Sequence, residues 1–496
     1  MIKSGKSIVI ICIFTIFIQG SVVSSNTLEK KIMCGYQGWF AAPGDDPVYD
    51  VSWLHWCRSG TQPSPETITF DLWPDYSEYM EGTLFYSIAE DWKYQDGRRA
   101  GFFSSNIEET VLMHCRWMRD YGIDGIFVHR FLIALMDKNI RARRNKTLKY
   151  ILKGAEAYGL KVAIMYDITG TPITEISAQM TNDWAYIVNN LNITGHSSYL
   201  YHKDRNENLL PVVGVWGFGF LGEGVKGQAY RLIWFFKNNS NPKFKATLIG
   251  GVPANWRAGD KDSKINYEEV YSGFDILSPW TIGRFTDKGS VEKWSDEMIT
   301  KDLELTSGRG QGYLPICYPG FSDHNLQKNA PKLRKGEERP LNFIPRDGGH
   351  FMWSQFYHFQ KSGINMFYIA MFDEVDEGTA IFKVAAKKQD LPLSDILLSL
   401  DVDGYNLRSD HYLWLTGSAG FIMKQGLPFP EIQPEHLPED SFNVEYKKEK
   451  AWIIEKNYII VEIKISNPLL NNISIYRKGD HESKFQIIKI LNREDL

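Results

Sequence analysis

The apolar positions of this chain cluster in short runs at regular intervals. Residues 32–36, 125–129, 161–167, 212–216, 247–251, 276–278, 313–317 and 366–372 are each rich in apolar and β-branched side chains. Runs of this length read as strands covered on both faces. Between them, residues 108–121, 144–158, 227–238 and 353–363 are amphipathic and read as helices with one buried face. Strands alternating with helices predict parallel βαβ units. Eight such strands predict an α/β fold closed as a (β/α)8 TIM barrel. An open doubly wound sheet is the competing architecture, but no G-x-G-x-x-G or P-loop follows an early strand.

Two stretches break the alternation. Residues 41–107 are long for one strand-to-helix connection and rich in Trp, Pro, Asp and Tyr, which predicts an ordered loop system. Residues 430–440 concentrate Pro and acidic residues and read as a boundary. Beyond it, residues 442–446, 451–455, 458–465, 473–476 and 485–490 are strand-like, so a small C-terminal β-rich module is expected. The expected plan is a barrel over 26–432 and the module over 433–496.

Residues 1–25 read as a secretory signal. Lys3 and Lys6 precede an apolar run of about eleven residues, 8–18, and small residues come after it. Eleven residues are too few to span a bilayer core about 30 Å thick. A secreted or periplasmic location is therefore expected, with no membrane span. Export permits disulfides among Cys34, Cys57, Cys115 and Cys317 in any of three pairings, and free buried thiols fit equally well.

Composition narrows the partners. The 56 basic and 60 acidic residues give a formal net charge of −4. No basic excess is available to wrap nucleic acid. Aromatic residues make up 14%; at this density they either fill a large core or line a concave site for flat, hydroxylated ligands such as sugars, and core packing accounts for most of them. No His/Cys cluster has metal-ligand spacing, and neither metal nor cofactor is expected. The expected partner is an oligo- or polysaccharide, bound by a monomer.

In a (β/α)8 barrel the site forms where the strands end. The last run leads at once into Asp373, Glu374, Val375, Asp376, Glu377, Gly378 and Thr379. Glu374 and Glu377 are three apart, so one turn of bent backbone brings them together. Glycoside hydrolysis needs such a pair, one carboxyl to protonate the leaving oxygen and one to act as base or nucleophile. A solvated acidic turn is the plainer alternative for the same residues, and a Ca²⁺ loop a weaker one, because the D-x-[DN]-x-[DN]-G spacing is missing. His129, Arg130, Asp167, Trp216 and Tyr318 also close or follow strand-like runs. Together with His55, Trp56, Trp73, Asp75 and Arg346 they are the candidate sugar-binding residues. Aromatic faces suit pyranose C–H faces, and Arg, Asp and His hold hydroxyls. A glycan-binding protein without catalysis on the same barrel would keep these residues but misplace the two glutamates. An adhesive exported protein would have no cleft.

The run Met33-Cys34-Gly35-Tyr36-Gln37-Gly38-Trp39-Phe40, then Trp53-Leu54-His55-Trp56 and Asp71-Leu72-Trp73-Pro74-Asp75, resembles the N-terminal signature of the glycoside hydrolase family 71/99-like group. Phe103-Ser104-Ser105, Arg116-Trp117-Met118 and Tyr121-Gly122-Ile123-Asp124-Gly125 carry the same resemblance. The segment 372–379 is similar to the N-E-W-H-E-G-T motif of family-99 endo-α-mannosidases. The resemblance covers roughly residues 30–420. It implies a (β/α)8 barrel and a retaining mechanism on α-linked sugars, without metal. By motif position, it implies that Glu374 is the base acting on the sugar's own 2-hydroxyl and Glu377 the general acid and then base. Asp373, Val375 and Asp376 stand where the motif has Asn, Trp and His, which leaves the sugar open.

Overall fold

The computed structural model describes residues 27–88, 92–220, 225–330 and 338–436, and beyond them the backbone of four strands. The predicted leader, 1–25, and the predicted strand 451–455 lie outside the described residues. By its contacts the chain divides into a unit of 26–434 and a second made of 1–25 and 435–496.

The larger unit is a barrel of parallel strands. They are β1 (Ile32–Tyr36), β2 (Gly125–Phe131), β3 (Lys161–Asp167), β4 (Leu209–Trp216), β5 (Thr247–Pro253), β6 (Ile276–Trp280), β7 (in two pieces, Gly312–Tyr313 and Ile316–Cys317) and β8 (Phe367–Ile369). Each pairs in parallel with the next, and β1 pairs with both β2 and β8. The ring closes through β7. Its first piece pairs with β6 and its second with β8. Pro315 sits between the pieces, where its missing N–H cannot serve a ladder, while its carbonyl still accepts from Tyr368 N at 3.1 Å.

Helices cover the outside. The longest, Lys138–Tyr158, starts where the Asp137 carboxylate accepts from the N–H groups of Asn139 and Ile140 at 2.8 and 2.9 Å, and stops at Gly159 with φ 71°. Helix His350–Lys361 leads into β8, and His411–Lys424 comes after the last loop. Among the described residues no helix is long and apolar enough to cross a membrane. All four cysteines 34, 57, 115 and 317 are free and buried.

Side chains alternate along each strand. In β2, Phe127, His129 and Phe131 share one face and meet residues inside the ring, while Arg130 on the other face meets helices. The predicted loop system, 41–107, is ordered. It forms bridges to residues 384 and 398 and a short antiparallel pair, Leu84–Tyr86 with Gly101–Phe103. The smaller unit contains two antiparallel pairs, Glu445–Lys448 with Val461–Lys464 and Asn472–Arg477 with Gln486–Asn492.

Candidate active site

The mouth of the barrel at the C-terminal strand ends carries a continuous arc of aromatic contacts. Trp216 ends β4 and Trp280 ends β6; their rings meet edge-on at 5.7 Å. Trp280 meets Tyr368 of β8 at 6.2 Å, and the Tyr368 hydroxyl lies 2.5 Å from His129 Nε2. His129 meets Phe131, Phe131 meets Trp39, and Trp39 stacks on His55 at 3.9 Å with an interplanar angle of 4°. Tyr368 and His129 are buried and form the floor, while Trp39, His55, Phe131, Trp216 and Trp280 are half-buried and form the rim.

The acidic loop lies directly after β8. Asp373, Glu374 and Asp376 are buried, and Glu377 is half-buried. Burial pushes the Tyr368 phenol well above its ordinary pKa, and the carboxylate of Glu374, then Cys34 and Asp167, push it further. Asp167 is in register with Phe131, so it shares the inward face with His129, and Glu374 lies on the loop directly after β8. Burial also pushes His129 down to about 3, so its imidazole is neutral. Asp167 ends β3 and accepts from Thr169 N at 2.7 Å. Buried polar atoms of this region with no hydrogen-bond partner among the described residues include Trp39 Nε1, His129 Nδ1, Trp216 Nε1 and Ser278 Oγ. Ser278 shares its strand face with Trp280.

Four restraints hold the loop's backbone. Asp373 is fully buried and accepts from Gln37 N at 2.8 Å and Gly38 N at 2.9 Å, one on each oxygen. Arg346 donates to the carbonyls of Gly378 and Ala380 at 2.8 and 2.7 Å, with its guanidinium over the Tyr412 ring. Ser322 N donates to Glu377 O at 2.9 Å. Gly378 has φ 62°, and a Cβ there would come within 3.0 Å of Ser322 N, so the turn requires glycine.

Burial is the largest cause of the rise in the Asp373 pKa to about 7. The two backbone N–H groups oppose it and the charge of Asp376 adds to it. The stabilisation from the protonated carboxyl is therefore complete below the unfolded value of about 3.9 and is lost as pH rises through about 7. Wild type is expected to lose stability relative to Asp373→Asn between these values and to run parallel to it above. Denaturant titrations across pH test this, and a constant difference would show that Asp373 stays ionised throughout.

The structure sorts the candidate residues. His55, His129, Asp167 and Trp216 lie along the mouth, and Glu374 and Glu377 are on the loop directly after β8. The six others do not belong to the mouth. Trp56 and Trp73 are 0% exposed, and their indole N–H groups donate to Phe103 O and Tyr94 Oη at 2.9 Å each. They form a second aromatic core with Phe70, Phe102 and Phe103, the packing that 41–107 needs to stay ordered. Asp75 accepts from Ser77 N and its own N–H donates to Lys383 O, so it terminates a loop turn. Arg130 is 1% exposed and forms a two-pronged pair with Asp183 at 2.6 and 2.8 Å. Tyr318 is fully buried against Phe285 and Phe351 and donates to Phe285 O. Arg346 braces the acidic loop from behind.

Sequence reading missed Trp39, Phe131, Tyr368, Asp373 and Asp376. Strand alternation carries the signal for two of them. Phe131 is two residues beyond His129, and Tyr368 is on the face opposite its neighbours Phe367 and Ile369. Trp39 and Asp373 are placed by contacts between distant segments.

No protein-family model matches the chain, and no curated protein matches it. The structure is similar to two solved structures of the GH99 endo-α-mannosidase from Bacteroides thetaiotaomicron. The one in complex with BIS-TRIS-propane gives a TM-score of 0.55 at 17% identity, over 81% of this chain and 99% of that one. The other gives 0.54 at 16% identity, over 80% and 99%. This chain therefore shares the (β/α)8 barrel fold of the family-99 enzymes that its motifs resemble.

Proposed function

We propose that the protein is a glycoside hydrolase that cleaves an α-linked glycan or polysaccharide with retention, using Glu374 and Glu377. One observation carries this reading. Two glutamates stand on one tightly held loop directly after β8, and polar atoms at neighbouring strand ends, His129 Nδ1, Ser278 Oγ and Trp216 Nε1, have no hydrogen-bond partner among the described residues. Such atoms call for a polar ligand.

The scheme rests on the family resemblance by motif position. Glu374 takes the proton of the sugar's 2-hydroxyl, whose oxygen attacks the anomeric carbon. The bond to the leaving oxygen breaks as protonated Glu377 delivers its proton there. Glu377, now a carboxylate, takes a proton from the water that opens the epoxide-like intermediate, and Glu374 returns its proton to the 2-oxygen. Water is consumed, and the anomeric configuration is kept. His55, His129, Asp167 and Trp216 hold the sugar, with Trp39 and Trp280 as further walls. A leader over residues 1–25 would deliver the enzyme outside the cytoplasm.

A panel of α-linked glycans with product analysis tests the assignment. Release of a product with its α-configuration retained supports it. Binding without turnover by wild type would transfer the barrel to a glycan-binding role.

A further inference from the structure

His55 is held in an unusual way for a side chain at the rim of a cleft. Its backbone is in the left-handed region, φ 64°, which non-glycine residues rarely occupy and which clusters at functional sites. Its carbonyl accepts from Thr69 Oγ1 at 3.1 Å. Its ring lies flat on Trp39 and edge-on to Phe40 at 6.1 Å. Its Nδ1 lies 3.0 Å from Asp376 Oδ2. Every part of the residue is fixed except the far edge of the ring. The side chain keeps 32% of its surface open, and Nε2 has no partner among the described residues.

We propose that His55 is a specificity-determining residue that accepts a hydrogen bond from one hydroxyl of the bound sugar, and that Asp376 is the positioning residue that fixes its tautomer. The inference rests on the glycoside hydrolase reading of the same site and names how that site reads its substrate. An ionised carboxylate only accepts hydrogen bonds, so Nδ1 carries the ring proton and Nε2 presents a lone pair. A neutral imidazole so oriented accepts from a hydroxyl and rejects an acceptor group at the same place. Burial first, and the charge of Arg144 second, hold the ring neutral by lowering its pKa. The motif position that holds His in the family it resembles holds Asp376 here. The imidazole instead comes from loop 41–107, and the carboxylate that orients it comes from between the two glutamates.

Two measurements on the full chain test this. The first is ¹⁵N NMR of the imidazoles at neutral pH, with His55 assigned by difference from His55→Asn. Expected is a protonated Nδ1 and a bare Nε2 in wild type, and an Nε2–H form emerging in Asp376→Asn, whose amide can donate to Nδ1. An Nε2–H tautomer or an imidazolium in wild type overturns the proposal.

The second is the affinity of methyl α-D-mannopyranoside and methyl α-D-glucopyranoside, compared with their monodeoxy derivatives. Loss of the hydroxyl read by His55 is expected to weaken binding to wild type about threefold to tenfold. His55→Asn keeps a residue that tolerates the left-handed backbone but is too short to reach the sugar, so it should bind parent and derivative alike. The same discrimination in His55→Asn as in wild type overturns the proposal, and so does binding of neither parent. The hydrolase reading fails separately, on turnover that survives loss of the two glutamates.

Discussion

Glu377→Gln and Glu374→Gln should each lower turnover of an α-linked glycan by at least ~10²–10⁴-fold, the range set by general acid–base catalysis. Both substitutions keep the side-chain volume, and Arg346, Ser322 and Asp373 hold the loop's backbone in either variant. Circular dichroism and denaturation midpoints should therefore match wild type. The two losses should differ in one respect. An aryl leaving group needs little protonation, so an activated aryl α-glycoside should recover much of the first-step loss in Glu377→Gln. It should recover little in Glu374→Gln, where the base acting on the sugar is missing. Wild-type-like rates from either variant would sink the assignment, and equal rescue of both would reverse or abolish the division of roles.

Asp183→Ala should destabilise the barrel by about 3–5 kcal/mol, the cost of stranding one member of a buried ion pair. Arg130 is 1% exposed, and its partners are Asp183, with both carboxylate oxygens, and Asn145 Oδ1. The Tyr166 hydroxyl also donates to Asp183 at 2.8 Å. Without the carboxylate, a guanidinium would remain charged inside the layer between β2, β3 and their helices. Replacing both members, as Arg130→Met with Asp183→Leu, should restore much of the loss, because no buried charge is left. Denaturant unfolding of the three variants measures this. Unchanged stability in Asp183→Ala together with weakened glycan binding would return Arg130 to the cleft.

The Arg130 case shows where sequence reading stops. Position at the end of a strand was legible, and so was the chemistry of the side chain. The face it points to depends on one residue of alternation: His129 looks into the ring and Arg130 looks out. The same limit applies to Tyr318, which directly follows its strand but packs outward under helix His350–Lys361. Trp56 and Trp73 show a second limit. Aromatic density marked 41–107 as ordered, but composition does not distinguish a ring that packs on other rings from one left open to a sugar.

By itself the sequence determined the eight strands, the helices between them, their parallel direction and the acidic loop after the last strand. These are local matters of apolar periodicity and of the residues adjoining a strand end, and local interactions encode them directly. Tertiary structure alone decided which strand-end residues share the mouth. It closed the ring through a strand divided at Pro315, and it turned Arg346 into a brace for a loop it does not adjoin in sequence. It also brought His55, stacked on Trp39, against Asp376 across more than three hundred residues of chain. Such contacts are fixed by how β1, the loop after it and the loop after β8 pack together, and no pattern within any one of them carries that information.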